Sequence, residues 1–197
     1  MQTKSYFFLL LFLTFSTTIF AQDFSYGVSL NRIRYESNND GLEFLNREDV
    51  WATALGVYGE YNFNENYGLK TELIYLKQEL GLNIANSNDY VPYEFNVVQL
   101  ATSLKVDFGN EYRHGFYMMI GPKVSFITKA SPDDEGFKKV TFGSQFALGY
   151  RVLKFIDIQA KVDADLTPFA KVNNDVSSFF AGGFSIGVDL ERIINKE

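Results

Sequence analysis

Apolar residues recur at every second position through most of the chain, and that period decides what it can fold into. From Trp51 to Phe63 the odd positions read Trp51, Thr53, Leu55, Val57, Gly59, Tyr61 and Phe63. The even ones read Ala52, Ala54, Gly56, Tyr58, Glu60 and Asn62. Side chains of a strand point alternately to its two faces, so this segment has one apolar face and one small or polar face. Val98 to Phe108 and Ile156 to Leu166 repeat the pattern, and no segment after the first twenty-odd residues has a comparable helical period.

Eight such strands are predicted, over 24–35, 51–63, 67–79, 95–108, 116–128, 139–151, 155–167 and 178–190. The phase is lost beyond Leu30 in the first and beyond Tyr75 in the third. The links alternate in length. Asn64-Glu65-Asn66 and Val152-Leu153-Lys154 are short and Gly109 to Gly115 is modest; Glu36 to Val50, Leu80 to Glu94, Lys129 to Lys138 and Pro168 to Ser177 are long and polar. Outer-membrane barrels have short periplasmic turns and longer extracellular loops. The expected fold is therefore all-β, a single eight-stranded antiparallel up-and-down transmembrane barrel with both termini in the periplasm.

The amino-terminal segment sets the expected compartment. Lys4 precedes an apolar run from Tyr6 to Phe20, and Ala21 offers a small residue for cleavage before Gln22. That is the layout of a secretory signal peptide over 1–21, leaving a barrel over 22–197. The run is shorter than the roughly 20 apolar residues a spanning helix needs. Cleavage removes one lysine and takes the net charge from −6 to −7. An acidic chain has no electrostatic reason to hold nucleic acid. With no cysteine and the single histidine His114, thiolate chemistry is excluded and a His-based metal site has little to draw on. No cofactor is expected.

A soluble lipocalin-like barrel, binding an apolar ligand in the periplasm, has the same strand count with its apolar face inside. Two features favour the membrane. The non-apolar face carries Ala52, Ala54, Gly56, Ala101, Gly121, Gly143, Ala147, Gly149, Ala181, Gly183 and Gly187, small residues that water-facing strands do not need but a narrow barrel interior does. The apolar face turns aromatic at two heights. Tyr61, Phe63, Tyr67, Phe108, Phe116 and Tyr150 lie beside the short turns, and Trp51, Tyr75, Phe126, Phe142 and Phe180 near the other rim. Membrane interfaces select such girdles.

The segments Leu55 to Phe63, Leu69 to Tyr75, Gly115 to Val124 and Phe142 to Tyr150 resemble the small outer-membrane β-barrel domain proteins of Bacteroidetes, the PorT-like group. The resemblance implies insertion in the outer membrane and, for some members, an accessory part in a protein-secretion or envelope assembly. One departure is plain: Phe184, Ile186, Val188 and Leu190 alternate as a last strand should, but Glu191 to Glu197 follows with no terminal aromatic.

The inward face is expected to hold a structural charge network of Glu60, Lys70, Glu72, Lys105, Asp107, Lys123, Arg151, Asp157, Lys161, Asp163 and Asp165. Centring the first hairpin on Glu65 sets Glu60 opposite Lys70. A charge in a narrow lumen must be paired, because desolvating it alone costs several kcal/mol. Asp157, Asp163 and Asp165 share a face, but Lys161 interleaves them and no catalytic or metal set converges. Lipid-editing chemistry would need a histidine at the outer leaflet, and His114 belongs to a short turn. Arg32, Arg34 and Arg47 suit lipopolysaccharide phosphates, and Asp133-Asp134-Glu135 reads as a solvated loop tip. The expectation is a non-enzymatic structural or interaction protein whose partners are outer-membrane lipid, lipopolysaccharide and an envelope or secretion protein.

Overall fold

The computed structural model describes residues 24–40, 43–45, 51–83, 90–108, 114–131, 137–168, 170–172 and 175–195. The expected signal segment, Arg47 and the acidic loop tip lie outside them. In chain order the elements are β1 (Phe24–Asp40), β2 (Glu43–Leu45), β3 (Ala52–Asn62), β4 (Tyr67–Asn83), β5 (Tyr90–Asp107), β6 (Gly115–Ser131), β7 (Val140–Leu153), β8 (Ile156–Asp165), β9 (Ala170–Val172), β10 (Asp175–Asp189) and α1 (Leu190–Asn195).

The eight long strands pair antiparallel with their neighbours, and β1 pairs with β10, so the sheet closes on itself. Two short strands add to its edge, β2 on β4 and β9 on β10. Following paired residues around the wall leads from Phe24 through Tyr61, Leu69, Leu104, Ile120, Phe146, Val162 and Gly182 to Arg34, ten residues beyond the start on β1. Eight strands with that stagger tilt by about 40° and enclose a backbone cylinder of roughly 8 Å radius. Side chains fill such an interior.

Local chemistry explains the first short turn. The Asn64 side chain accepts from the backbone N–H groups of Asn66 and Tyr67, both at 2.9 Å, in place of a backbone carbonyl. Gly115, which opens β6 after the second link, has a φ of 94° that disfavours any side chain.

The two faces follow the period. Leu55, Val57, Leu73, Leu104, Phe116 and Ile120 face outward and are exposed, while Glu60, Lys70, Lys105, Arg151 and Asp157 are buried inside. A soluble barrel would have these reversed, so the apolar face is the outer one. On β5 the outward apolar stretch from Val98 to Phe108, bounded above by Asn96 and Glu94, is about 25 Å tall along the barrel axis. That matches the apolar band of transmembrane barrels.

Several strands run past their expected ends at the long-loop side. β1 continues to Asp40, β4 to Asn83 and β6 to Ser131, β5 begins at Tyr90, and β2 and β9 occupy segments read as links. Beyond the apolar band the faces exchange character. Arg32, Arg34, Lys77 and Glu79 point outward, whereas Ile33, Tyr35, Leu76 and Phe95 are buried inside. These join Ala54, Ile74, Val97 and Ala181 in an apolar cluster against which Ile127, Ala130 and Phe137 pack. The wall therefore has a lipid-facing stretch with a polar interior, surmounted by a water-facing stretch with an apolar interior.

Candidate functional site

Opposite walls of the barrel are tied together through its lumen. In the closed order, β3 faces β7 and β4 faces β8. Arg151 of β7 donates through Nη2 to Glu60 Oε2 of β3 at 3.0 Å. Lys70 of β4 meets Asp157 Oδ2 of β8 at 2.8 Å, and Lys161 of β8 meets Glu72 of β4. Three ion pairs thus cross the full width of the interior. Lys105 adds a bond to Glu60 at 2.7 Å and one to Asp107 at 2.8 Å. Nearer the long-loop end, Lys123 lies between Asp165 at 3.0 Å and Asp163 at 3.6 Å.

All eleven residues expected in the network therefore face inward and take part in these pairs. One pairing differs. Glu60 and Lys70 are register partners, but the bonded ion pair of Lys70 is with Asp157, and those of Glu60 are with Lys105 and Arg151. A lumen this narrow lets a long side chain reach the far wall, which register alone does not reveal.

Neutral groups add to the shell. Asp157 also accepts from the Tyr117 hydroxyl and from Gln159 Nε2 at 2.8 Å. Glu72 accepts from Ser29 Oγ at 2.6 Å, and Lys161 donates to Asn31 Oδ1 at 3.0 Å. Two tyrosine rings fill the remaining space, each beside a glycine of the next strand: Tyr117 opposite Gly149 and Tyr58 opposite Gly27. A Cβ at residue 149 would lie 2.0 Å from Tyr117 Cζ. The Lys70 ammonium lies 4.1 Å from the Tyr58 ring centroid, a cation–π contact. Glycines on the inward face thus make room for rings that shield the charges.

This arrangement holds charge in place. The Asp157 carboxylate has its oxygens committed to three donors. Among the described residues, no group of three or more His, Asp or Glu side chains is placed to hold a metal ion. His114 sits half-buried at the short-turn end, its ring steeply inclined to that of Tyr150 with centroids 6.5 Å apart.

Residues 20–171 match the family model described as outer membrane protein beta-barrel domain. The chain belongs to this family. Among solved structures it is similar to the outer membrane protein OprG from Pseudomonas aeruginosa, at 10% identity and a TM-score of 0.52, over 86% of this chain and 94% of that one. It is also similar to Neisserial surface protein A, at 16% identity and a TM-score of 0.50, over 85% of this chain and 99% of the other. Both likenesses concern the fold. No curated protein matches the chain in sequence.

As a member of the outer membrane barrel family the chain places its apolar band in lipid. The aromatic residues at the short-turn end, Phe63, Tyr67, Phe108 and Phe116, are exposed at one edge of that band, and Tyr75, Phe126, Phe142 and Phe180 near the other. Arg32 and Arg34 project outward just beyond the second edge, with Lys129, Lys138 and Lys139 exposed at the same end. The apolar cluster at this end was not anticipated from the sequence. Its signal was the loss of phase beyond Leu30 and Tyr75, where apolar residues move to inward positions.

Proposed function

We propose that this protein is a sealed, non-enzymatic outer membrane barrel, a structural or interaction protein whose working surface is the extracellular long-loop end. The observation that carries this reading is the set of ion pairs joining opposite walls. Eight strands leave no aqueous channel even before these pairs are counted, and the apolar cluster lies above them. A solute path along the axis would have to separate buried charges, which costs several kcal/mol for each. Loops on a rigid scaffold are where binding residues concentrate. Export by the segment 1–21 and periplasmic termini complete the reading. The outward cations Arg32 and Arg34 suit phosphates of lipopolysaccharide in the outer leaflet.

Planar-bilayer recording of the refolded protein tests the seal. No stepwise conductance is expected at physiological salt, whereas steady open-channel currents would overturn the sealed reading. Affinity capture from detergent-solubilised outer membranes, with the intact barrel and with a variant whose long loops are shortened, tests the working surface. A partner retained only by the intact barrel supports an interaction role, and a partner retained equally by both places the contact elsewhere.

A further inference from the structure

One sector of the lipid-facing wall is hollowed. On β1, Val28 and Leu30 face outward; Val28 pairs with Val57 of β3, and Leu30 pairs with Leu55 of β3 on one side and Ile186 of β10 on the other. These short aliphatic side chains, all exposed, floor a hollow of about 680 Å³ that reaches across β4 to Val98 on β5. Bulkier rings bound it. Phe24 and Tyr26 lie on the short-turn side, their centroids 6.4 Å apart. On the long-loop side Trp51 stacks on Phe184 at 6.3 Å.

The row directly above this floor carries a charge. Arg32, two residues past Leu30 and about 7 Å farther along the strand, faces outward and has Phe184 and Thr53 as its register partners. Among the described residues its guanidinium meets no carboxylate, whereas Lys77, two strands away, is bonded to Glu94 at 2.8 Å. An exposed, unpaired arginine at the rim of an apolar hollow suits a ligand that is anionic at one end and hydrocarbon at the other. The guanidinium fork matches a phosphate in particular.

We infer that this sector is a specific seat for one lipid A, the phosphorylated anchor of lipopolysaccharide, with its acyl chains in the hollow and a phosphate on Arg32. The inference deepens the reading of Arg32 given above and rests on it and on the proposed orientation. Two observations set the class. The hollow crosses five adjacent strands, β10 to β5, or about 19 Å at the spacing of roughly 4.8 Å between strands. That width accepts several acyl chains side by side, as lipid A carries. Its volume also falls within the roughly 300–1,000 Å³ of sites that select a ligand, which separates it from the convex wall that any lipid chain can brush.

Native mass spectrometry of the full barrel, delipidated in detergent and titrated with lipid A, tests the site. Lipid A stripped of its phosphates and phosphatidylglycerol are the comparison probes. One lipid A per barrel should bind saturably, and each comparison probe about tenfold more weakly. Arg32→Gln should weaken lipid A about tenfold, the loss of one charge-assisted contact. Val57→Phe, which stays apolar but fills the hollow, should weaken it by a similar factor, and Val162→Phe on the far wall should not. Gel mobility of unboiled samples establishes that each variant is folded; should Arg32→Gln fail to fold, Val57→Phe and the probes on wild type decide. Uptake of many lipid A molecules without saturation overturns the site, as does equal binding of either comparison probe. Lipid A binding unchanged in folded Arg32→Gln or in Val57→Phe does the same. Conductance and loop-dependent capture do not involve lipid A, so failure here leaves the sealed, loop-binding reading to its own tests.

Discussion

Glu60 and Lys70 stand directly opposite one another on β3 and β4, and each forms its ion pair elsewhere. Lys70 reaches Asp157 on the far wall at 2.8 Å, and Glu60 is held by Lys105 and Arg151. The barrel is thus braced across its diameter more than along its wall. In double-mutant cycles measured by urea unfolding from lipid vesicles, Lys70→Met and Asp157→Asn should show strong coupling. Each single change leaves a buried charge without its partner, a loss of about 3–5 kcal/mol, and the double variant should recover part of it. Coupling of Glu60 with Lys70 should be the smaller of the two. The reverse order would contradict the cross-lumen pairing.

The location of these charges was legible in the sequence, and their partners were not. Period-two alternation assigns Glu60, Lys70 and Asp157 to the inward face whatever the barrel radius. Pairing depends on that radius and on the stagger between strands, and a sequence states neither. The loss of phase beyond Leu30 and Tyr75 has a similar origin. An alternating pattern weakens where the strand leaves lipid, because Ile33, Tyr35 and Leu76 turn inward just as Arg32, Arg34 and Lys77 turn outward. Read as a single membrane strand, that exchange looks like an ending. The hairpin at Asn64 was plain because its turn chemistry is local.

Gly149 should tolerate no side chain while Tyr117 is present. An added Cβ would lie 2.0 Å from the ring, so Gly149→Ala forces the ring off its place above the charges. Overpacking of this kind costs about 1–3 kcal/mol. In a Tyr117→Ala background the same change should cost much less. Equal penalties in both backgrounds would show that the glycine serves another purpose.

Val162 and Leu166 test the depth of the lipid. Both are exposed on the outer face, Val162 in the middle of β8 and Leu166 just past its end. Val162→Arg places a cation near the bilayer midplane at a cost of roughly 2–4 kcal/mol, falling to about 0–1 near the interfaces. Leu166→Arg should accordingly be the milder change in refolding titrations into thin vesicles. Equal penalties would contradict the placement of the band.

Orientation follows from loop length. An epitope inserted at Asp134 or Asn86 should be labelled on intact cells, and one at Glu65 should not. Labelling in the opposite sense would invert the barrel in the membrane.

The most direct test of the account is where the protein resides and in what form. The outward apolar face, with Leu55 68% and Phe116 67% exposed, has no stable place in water. In fractionated cells the protein should remain with the outer membrane through washes with high salt and with alkali. Unboiled, it should run in gels at an apparent mass different from that of the boiled chain, as a closed barrel does. Recovery in the soluble periplasmic fraction, with one mobility whether boiled or not, would contradict the membrane barrel.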